Sequence, residues 1–142
     1  MTGYLDNPEA TEAVTTSDGY ITAGDMARFD EEGYIYIVDR KGDLIISGGM
    51  NVYPREIEEV LHSHSDISQA AVVGLPSEKW GEEVTAVIVL REGSEISPEE
   101  LDQFCGSSLA GYKIPKRYVF QNTIPVSVAG KVLKKDLRDS LS

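Results

Sequence analysis

The sequence predicts a small α+β domain, and three observations lead to this fold class. The 142 residues are 41% hydrophobic, which is enough for one modest core. Short segments rich in β-forming residues recur along the chain, at 34–38, 67–75, 83–90 and 118–120. Segments with helical spacing and helix-start signals lie between and after them. We therefore expect a β-hairpin plus a three-stranded sheet, packed with about three helices.

The first forty residues predict one short helix followed by a β-hairpin. Pro8 stands near the first turn of a helix that extends to Val14. The hairpin has a short strand at 20–22 and an extended segment at 25–29, turns at 30–33 and returns in a strand at 34–38. A lone hairpin is only marginally stable in water, so this part of the chain needs something to pack on.

The remaining residues alternate between strands and helices. A strand at 44–46 leads into a loop at 47–51, and Pro54 then stands at the first turn of a helix. Ser97 and Glu100 frame the start of a second helix, as its N-cap and its capping-box residue. The apolar residues expected on the inner faces of the helices recur at helical spacing: Ile57, Val60, Leu61, Leu101, Phe104, Cys105, Leu109, Leu133, Leu137 and Leu141.

The composition argues against several classes of partner and location. The formal net charge of −11 argues against a nucleic-acid partner, which needs a basic surface. No apolar run approaches the roughly 20 residues of a membrane span, and the first residues lack the features of a secretory signal. The single cysteine, Cys105, fits a reducing cytoplasm and is expected to be a small buried hydrophobe. His62 and His64 do not share a helix face, so no metal site is expected.

Basic residues concentrate towards the end of the chain. Residues 113–138 hold seven of the thirteen Lys and Arg residues and one acidic residue. Gly130 frees the backbone ahead of Lys131, whose ammonium is a compact charge suited to a phosphate or carboxylate oxygen. The alternative is a solvated basic face in which Lys131 is one exposed lysine beside Lys134 and Lys135.

Other residues in turns and loops have both a ligand-binding and a purely structural interpretation. Asp25 follows a glycine, where its carboxylate either binds a ribose diol or satisfies the N–H groups of its own turn. Arg40 offers a fork of donors to ribose or phosphate oxygens, or pairs with a neighbouring aspartate. The loop at 47–51 contains two glycines, so its backbone can approach a ligand closely, or it is a β-turn without one.

Three motifs, in this order, carry a resemblance to a known family. They are YITAGD at 20–25, DRKGDLIISGGMNVYPREIE at 39–58 and PVSVAGK at 125–131. Together they resemble the motifs of the acyl-adenylate-forming enzymes, which include acyl-CoA synthetases, nonribosomal-peptide adenylation domains and beetle luciferases. The sequence departs from the family at Ala23 in the first motif and at Gly42, where the usual residue is Asp or Lys. The resemblance covers essentially the whole chain.

The resemblance implies a domain organisation and a two-step reaction. Residues 1–39 would be the C-terminal end of a large AMP-binding domain, 40–43 a hinge, and 44–142 a small mobile C-terminal domain. In such enzymes ATP and a carboxylic acid give acyl-AMP and pyrophosphate, and the CoA thiol then displaces AMP after the small domain rotates. Mg²⁺ accompanies ATP and is bound mainly by the large N-terminal domain, which also holds the acid. We therefore expect a fragment of a cytoplasmic acyl-CoA synthetase of fatty acid metabolism that is inactive alone.

The resemblance also implies a role for each matched residue. Lys131 would enter the active site during adenylation and stabilise developing charge. Asp25 and Arg40 would bind the nucleotide of ATP or AMP, and Gly42 and Asp43 would form the hinge. The residues that would contact CoA are Ser47, Gly48, Gly49, Asn51, Trp80, Tyr112 and Lys116.

Two alternatives to free CoA ligation stay open at this point. The acyl acceptor could be the pantetheine arm of a carrier protein, as in adenylation domains that load such carriers. The chain could instead be a stand-alone binding module. Ile114 stands where some relatives carry Arg in the CoA-binding segment, and Trp80 could be a core residue that only packs.

Overall fold

Residues up to Gly42 form the first of two units in the computed structural model, which describes residues 2–141. Helix α1 (Pro8–Val14) starts and ends as predicted, and the Asn7 side chain caps it by accepting a hydrogen bond from the amide of Ala10 at 3.0 Å. Strands β1 (Asp25–Phe29) and β2 (Ile35–Arg40) form the expected antiparallel hairpin.

The first unit differs from the sequence prediction at residues 20–22, which do not form a strand of the hairpin. They contribute an isolated bridge between Thr15 and Ile21, because the chain folds back there onto the end of α1. Within residues 2–42, only Asp39 is buried, and Phe29, Ile35 and Ile37 are exposed. This unit has a defined hydrogen-bonded fold but no apolar core of its own.

The second unit begins at Asp43 and is built on one five-stranded sheet. Strands β3 (Ile45–Ser47) and β4 (Met50–Val52) form a short hairpin, and β5 (Ile67–Ser77) and β6 (Gly81–Leu90) form a long one. Strand β7 (Arg117–Phe120) runs parallel to β6, and β3 joins β6 where Ser47 lies opposite Gly81. The predicted three-stranded sheet, β5 to β7, and the short β3–β4 hairpin are therefore parts of a single sheet, in which β5 is an edge strand.

Helices cover both faces of this sheet. Helices α2 (Pro54–His62) and α3 (Pro98–Gly106) pack on one face, where Ile57, Leu61 and Leu101 belong to the larger apolar cluster. Helix α4 (Lys134–Leu141) contributes Leu137 to a second cluster on the other face. Alternate residues of β5 and β6 supply the two clusters, because successive side chains of a strand point to opposite faces. This arrangement confirms the predicted α+β class.

The chain passes from the first unit to the second through a short 3-10 helix, Lys41–Asp43. Among residues 2–141 no helix has the length and apolar character needed to span a bilayer.

Candidate functional site

The glycine turn, residues Gly48 and Gly49, connects β3 to β4 with only two residues. Both glycines have positive φ, +58° and +79°, which is the backbone of a tight two-residue hairpin turn that other residues rarely adopt. The sequence predicted a five-residue loop here. Because the two glycines alone complete the turn, Ser47 and Met50 are left to pair with each other across the hairpin.

Two residues predicted to line this loop lie in strands instead. The Ser47 side chain is only 6% exposed, since it points to the same side of β3 as the buried Ile45. It therefore offers little surface to a ligand in this structure. Asn51 lies opposite Ile46 in β4 and is exposed, so its side chain stays accessible beside the turn.

Trp80 packs directly on the glycine turn. The amide of Gly48 donates a hydrogen bond to the Trp80 carbonyl at 2.8 Å, and a Cβ at position 48 would lie 3.1 Å from Cε3 of the indole. The indole is 36% exposed, and the Lys79 ammonium lies 4.7 Å from its ring centroid. Trp80 is thus a partly open aromatic surface held against the turn, rather than a core residue.

Glu82 on β6 stabilises the same region, and no role was predicted for it from the sequence. Its Oε2 accepts a hydrogen bond from the amide of Ile46 at 2.7 Å, so β6 binds the backbone of β3 through a side chain. The glycine at position 74 leaves space for the Glu82 side chain, because a Cβ there would lie only 2.9 Å from Oε1 of Glu82. The only sequence signal is a glycine inside an apolar strand, which marks a close approach without saying to what.

The segment with Tyr112 and Lys116 lies between α3 and β7 and exposes both side chains. The ammonium of Lys113 is bound by both carboxylate oxygens of Glu56 at 2.7 Å, and this hydrogen bonding raises the pKa of Lys113. The ammonium of Lys116 donates to the carbonyl of Gly111 at 3.2 Å. Lys113 therefore anchors the segment to α2, and its ammonium also lies 5.6 Å from the centroid of the Tyr112 ring, whereas Lys116 is the more exposed cation of the segment.

The lysine hairpin, residues 125–133, presents Lys131 on a tight turn. The amide of Gly130 donates to the carbonyl of Ser127 at 2.8 Å, and the amide of Ser127 donates to the carbonyl of Lys131 at 2.7 Å. Gly130 has φ +76°, so these bonds form a three-residue hairpin loop that ends in a left-handed glycine. The glycine before the lysine is required by this turn.

The ammonium of Lys131 is exposed, and the described residues give it no ion pair. Neighbouring cations are bound: Lys134 lies 2.8 Å from Oε1 of Glu58, and Arg138 lies 3.7 Å from Oδ1 of Asp43. Three of the seven basic residues at 113–138, Lys113, Lys134 and Arg138, are therefore ion-paired, and Lys131 is among the exposed ones.

Asp25 and Arg40 lie directly opposite each other at one end of the β1–β2 hairpin. Nε of Arg40 is 3.8 Å from Oδ1 of Asp25, and the two side chains are 65% and 34% exposed. An exposed pair at this distance holds the fold weakly, so both groups are accessible to a polar ligand. The structure thus brings together the two residues that were predicted to bind nucleotide.

Gly42 lies in the 3-10 helix and has no positive φ, and a Cβ there would meet nothing within 4 Å. A larger residue would fit at this position. Asp43 carries the nearest charge, and its partner is Arg138 on α4.

Two groups, the buried Cys105 thiol and the partly buried Tyr118 hydroxyl, have structural roles. Burial raises the pKa of the Cys105 thiol and of Tyr118, whose hydroxyl donates to Oδ1 of Asp102 at 2.8 Å. Both groups stay protonated near neutral pH. Within residues 2–141, no three His, Cys, Asp or Glu side chains are grouped as metal ligands.

Known proteins match this fold and these segments. A family model described as the AMP-binding enzyme C-terminal domain matches residues 56–131. The long-chain-fatty-acid–CoA ligase of Bacillus subtilis is 48% identical over 137 residues, which is 96% of this chain and 24% of that ligase. The chain thus spans about a quarter of the length of the curated relatives it matches.

Two solved structures extend the comparison. The o-succinylbenzoate CoA synthetase of Bacillus subtilis, in complex with the acyl-adenylate intermediate OSB-AMP, superposes with a TM-score of 0.90 and 39% identity, covering 98% of this chain and 28% of that one. ATP-bound MatB of Rhodopseudomonas palustris gives a TM-score of 0.88 and 38% identity, covering 97% and 27%. These matches confirm the resemblance seen in the three motifs, and the chain belongs to the family of AMP-binding enzyme C-terminal domains.

Proposed function

We propose that residues 44–142 act as the mobile C-terminal domain of an acyl-CoA synthetase. Residues 1–39 are the end of its large AMP-binding domain, and 40–43 form the hinge between them. The enzyme adenylates a carboxylic acid with ATP and transfers the acyl group to CoA. Relatives named for a long-chain fatty acid and for succinylbenzoate support the reaction class, and their different acids fit a pocket that lies in the large domain.

The observation that carries this proposal is the exposed ammonium of Lys131 on its hydrogen-bonded hairpin. A positive charge helps most when it is aimed in advance at charge that develops in the transition state. Adenylation places such charge on the carboxylate and the α-phosphate. The three-residue turn fixes where Lys131 leaves the backbone, and the ion pairs of Lys134 and Arg138 reserve the adjacent cations for structural roles.

The second half-reaction, transfer of the acyl group to CoA, uses a surface of bare backbone instead of a charged side chain. The glycine turn has no side chains, so the thin pantetheine arm of CoA can pass close to the backbone. Trp80 and Tyr112 offer exposed rings for the adenine, and Lys116 offers a cation for the 3′-phosphate. Asn51 supplies an exposed amide beside the turn.

The ATP site is shared with the large domain in this proposal. Asp25 binds the ribose diol and Arg40 donates to ribose or phosphate oxygens; their exposure and their shared position at one end of the hairpin support these roles. Mg²⁺ is held by ATP and by the large domain. We also infer a cytoplasmic location and a place in fatty acid metabolism, from the lone buried cysteine and from the 48% identical ligase.

The test needs the joined enzyme, meaning a polypeptide in which this chain follows a large AMP-binding domain, either its own or that of the Bacillus subtilis ligase. Lys131→Ala is expected to lower carboxylate-dependent ATP–pyrophosphate exchange by about a hundredfold or more, as for loss of one preorganised charge. Thioester formation from supplied acyl-adenylate and CoA should stay within about twofold. Lys135→Ala removes an exposed neighbouring lysine and should change neither rate. Equal loss of both half-reactions in Lys131→Ala would contradict the proposal.

A carrier-bound pantetheine arm is the rival acceptor. It lacks the adenine and the 3′-phosphate, so it has no use for the exposed Tyr112 and Lys116, and these residues favour free CoA. The joined enzyme should therefore use CoA well and 3′-dephospho-CoA poorly, and Lys116→Met should remove most of that preference. The 142-residue chain alone is expected to show no exchange activity. A binding module that works without the large domain would instead bind CoA tightly as this chain alone, which calorimetry measures and which we do not expect.

A further inference from the structure

The exposed edge of the five-stranded sheet is closed by side chains of α2. Strand β5 is an edge strand, so alternate amides along it have no strand partner. The amide of Val72 donates to Oε1 of Glu58 at 2.8 Å, and the amide of Ala70 donates to Nε2 of His62 at 3.1 Å. Residues four apart on a helix thus bind amides two apart on a strand, because both pairs span about 6–7 Å.

Glu58 has a second partner on the other side of the sheet. Its Oε1 also lies 2.8 Å from the ammonium of Lys134, the first residue of α4. The two side chains are 18% and 14% exposed, so this ion pair is much less solvated than an ordinary surface pair. Helices α2 and α4 pack on opposite faces, and this pair joins them around the edge of β5.

Leu133 connects the lysine hairpin directly to α4, because its backbone takes part in the hydrogen bonds of both. Its amide donates to the carbonyl of Pro125 at 2.9 Å, which closes the hairpin. Its carbonyl accepts from the amide of Leu137 at 3.2 Å, which starts α4. Lys134 therefore lies one residue from the base of the hairpin and three residues from Lys131.

We propose that Glu58 and Lys134 are positioning residues for Lys131 in the adenylation half-reaction. The pair fixes the first turn of α4 against α2 and β5, and through Leu133 it fixes the direction in which the hairpin presents the Lys131 ammonium. The inference rests on the proposed function, because it needs Lys131 to act in adenylation. A small misplacement of such a charge is expensive, since the transition state gains only from groups already in place.

The test compares half-reactions in the joined enzyme. Glu58→Gln keeps an oxygen for the amide of Val72 but removes the charge that binds Lys134, and Lys134→Met removes the cation. Each should lower ATP–pyrophosphate exchange by about tenfold or more, with thioester formation from supplied acyl-adenylate within about twofold. The double variant should lose little beyond either single one, because both act through one interaction. Lys134→Arg, which keeps the cation, should recover most of the exchange rate.

The chain offers a matched control for each change. Glu59→Gln alters the adjacent carboxylate of α2, whose side chain is 67% exposed and pairs with Arg55. Lys135→Met alters the adjacent exposed lysine of α4. Neither should change either half-reaction.

The outcomes separate this inference from the proposed function. If Lys131→Ala abolishes exchange while Glu58→Gln and Lys134→Met leave it intact, the positioning role is wrong and the proposed function stands. If Lys131→Ala itself spares exchange, the proposed function is wrong. Equal loss of both half-reactions in both charge-removing variants would show a general structural role and would overturn the positioning role. The thioester assay therefore also reports whether each variant is folded.

Discussion

Two hairpins of the second unit carry the surfaces that we assign to the two half-reactions. Both have tight glycine turns, but one presents bare backbone and the other presents a charged side chain. The glycine turn between β3 and β4 uses two positive-φ glycines to present bare backbone. The lysine hairpin uses one positive-φ glycine, Gly130, to set the direction of a charged side chain. In the proposed function, the first turn serves CoA transfer by its bare backbone, and the second serves adenylation by the direction that it gives to Lys131.

The two hairpins are also held in different ways. The glycine turn is bound to the β5–β6 hairpin by the Gly48 amide, by the indole of Trp80 and by Glu82 on β6. The lysine hairpin is fixed at its base, through Leu133, α4 and the pair of Glu58 and Lys134. The turn proposed to admit CoA is thus held by contacts with an adjacent hairpin, whereas the lysine proposed to act in adenylation is held by the helix that follows its own hairpin. This difference predicts which variants separate the two half-reactions in the joined enzyme.

Gly49→Leu should have the largest effect among the turn variants. A Cβ at position 49 meets nothing within 4 Å, so the damage comes from filling the open surface and from the strained φ of +79°. Thioester formation from supplied acyl-adenylate should fall by about tenfold or more, while ATP–pyrophosphate exchange stays near the parent rate. The control is Gly93→Leu, because Gly93 has φ +77° and also has open space around it. Comparable loss of thioester formation in that control would show that backbone strain alone is responsible.

Gly130→Ala should affect the other half-reaction, and less strongly. A Cβ there meets nothing, so only the strain of φ +76° is added, about 1–2 kcal/mol. If that strain moves Lys131, exchange falls by about five- to tenfold with thioester formation spared. Gly93→Ala carries nearly the same strain at the 91–94 turn, which belongs to neither hairpin, and should change neither rate. An unchanged exchange rate in Gly130→Ala would show that the turn does not determine where the lysine acts.

Local signals in the sequence predicted most of this fold. The capping box at Ser97, the prolines at helix starts and the apolar spacing along α2 depend on residues close together in the chain, and the structure has these features. Strand β4 was missed because two glycines were counted as part of a longer loop. The same sequence is compatible with a longer loop and with a two-residue turn. Only the pairing of Ser47 with Met50 in the structure shows that the turn has two residues.

The candidate site was predictable only where a motif states it. Lys131, the glycine turn and the pair of Asp25 and Arg40 follow from matched segments. Glu58 could not be assigned, because its partner Lys134 is far away in the sequence and the edge position of β5 depends on the order of all five strands. Ser47 shows the reverse case, since its place in a motif suggested exposure and the pleat of β3 buries it.

Asp43→Asn should have a smaller effect, namely a change in the ratio of the rates of the two half-reactions. Asp43 lies 3.7 Å from Arg138, and the two side chains are 23% and 34% exposed. Such a partly solvated pair is worth about 1 kcal/mol or less, so the ratio of the two rates should change by about two- to fivefold. Asp139→Asn is the control, because it removes the same charge from an exposed aspartate of α4 that lies outside the proposed hinge. A rate ratio that stays constant in Asp43→Asn would exclude this pair from any role in the proposed rotation.

Glu100→Ala should change neither half-reaction and lower only the stability of the second unit. The amide and hydroxyl of Ser97 donate to Oε2 of Glu100 at 2.8 Å, and the amide bond is the main reason that the pKa of Glu100 lies below its ordinary value of 4.5. A carboxyl group with a lowered pKa in the folded state stabilises the fold above its unfolded pKa. That contribution is lost as the pH falls through the folded pKa. The difference in Tm between the parent chain and Glu100→Ala should therefore be constant near neutral pH and shrink below pH 4.5, as followed by circular dichroism of the 142-residue chain.

Glu99→Ala removes the adjacent first-turn carboxylate but not the capping box. Its effect on Tm should therefore be smaller and should not shrink in this way at low pH. If Glu100→Ala instead lowered only one half-reaction, α3 would have to influence one of the two hairpins, and the contrast between their supports would need another element.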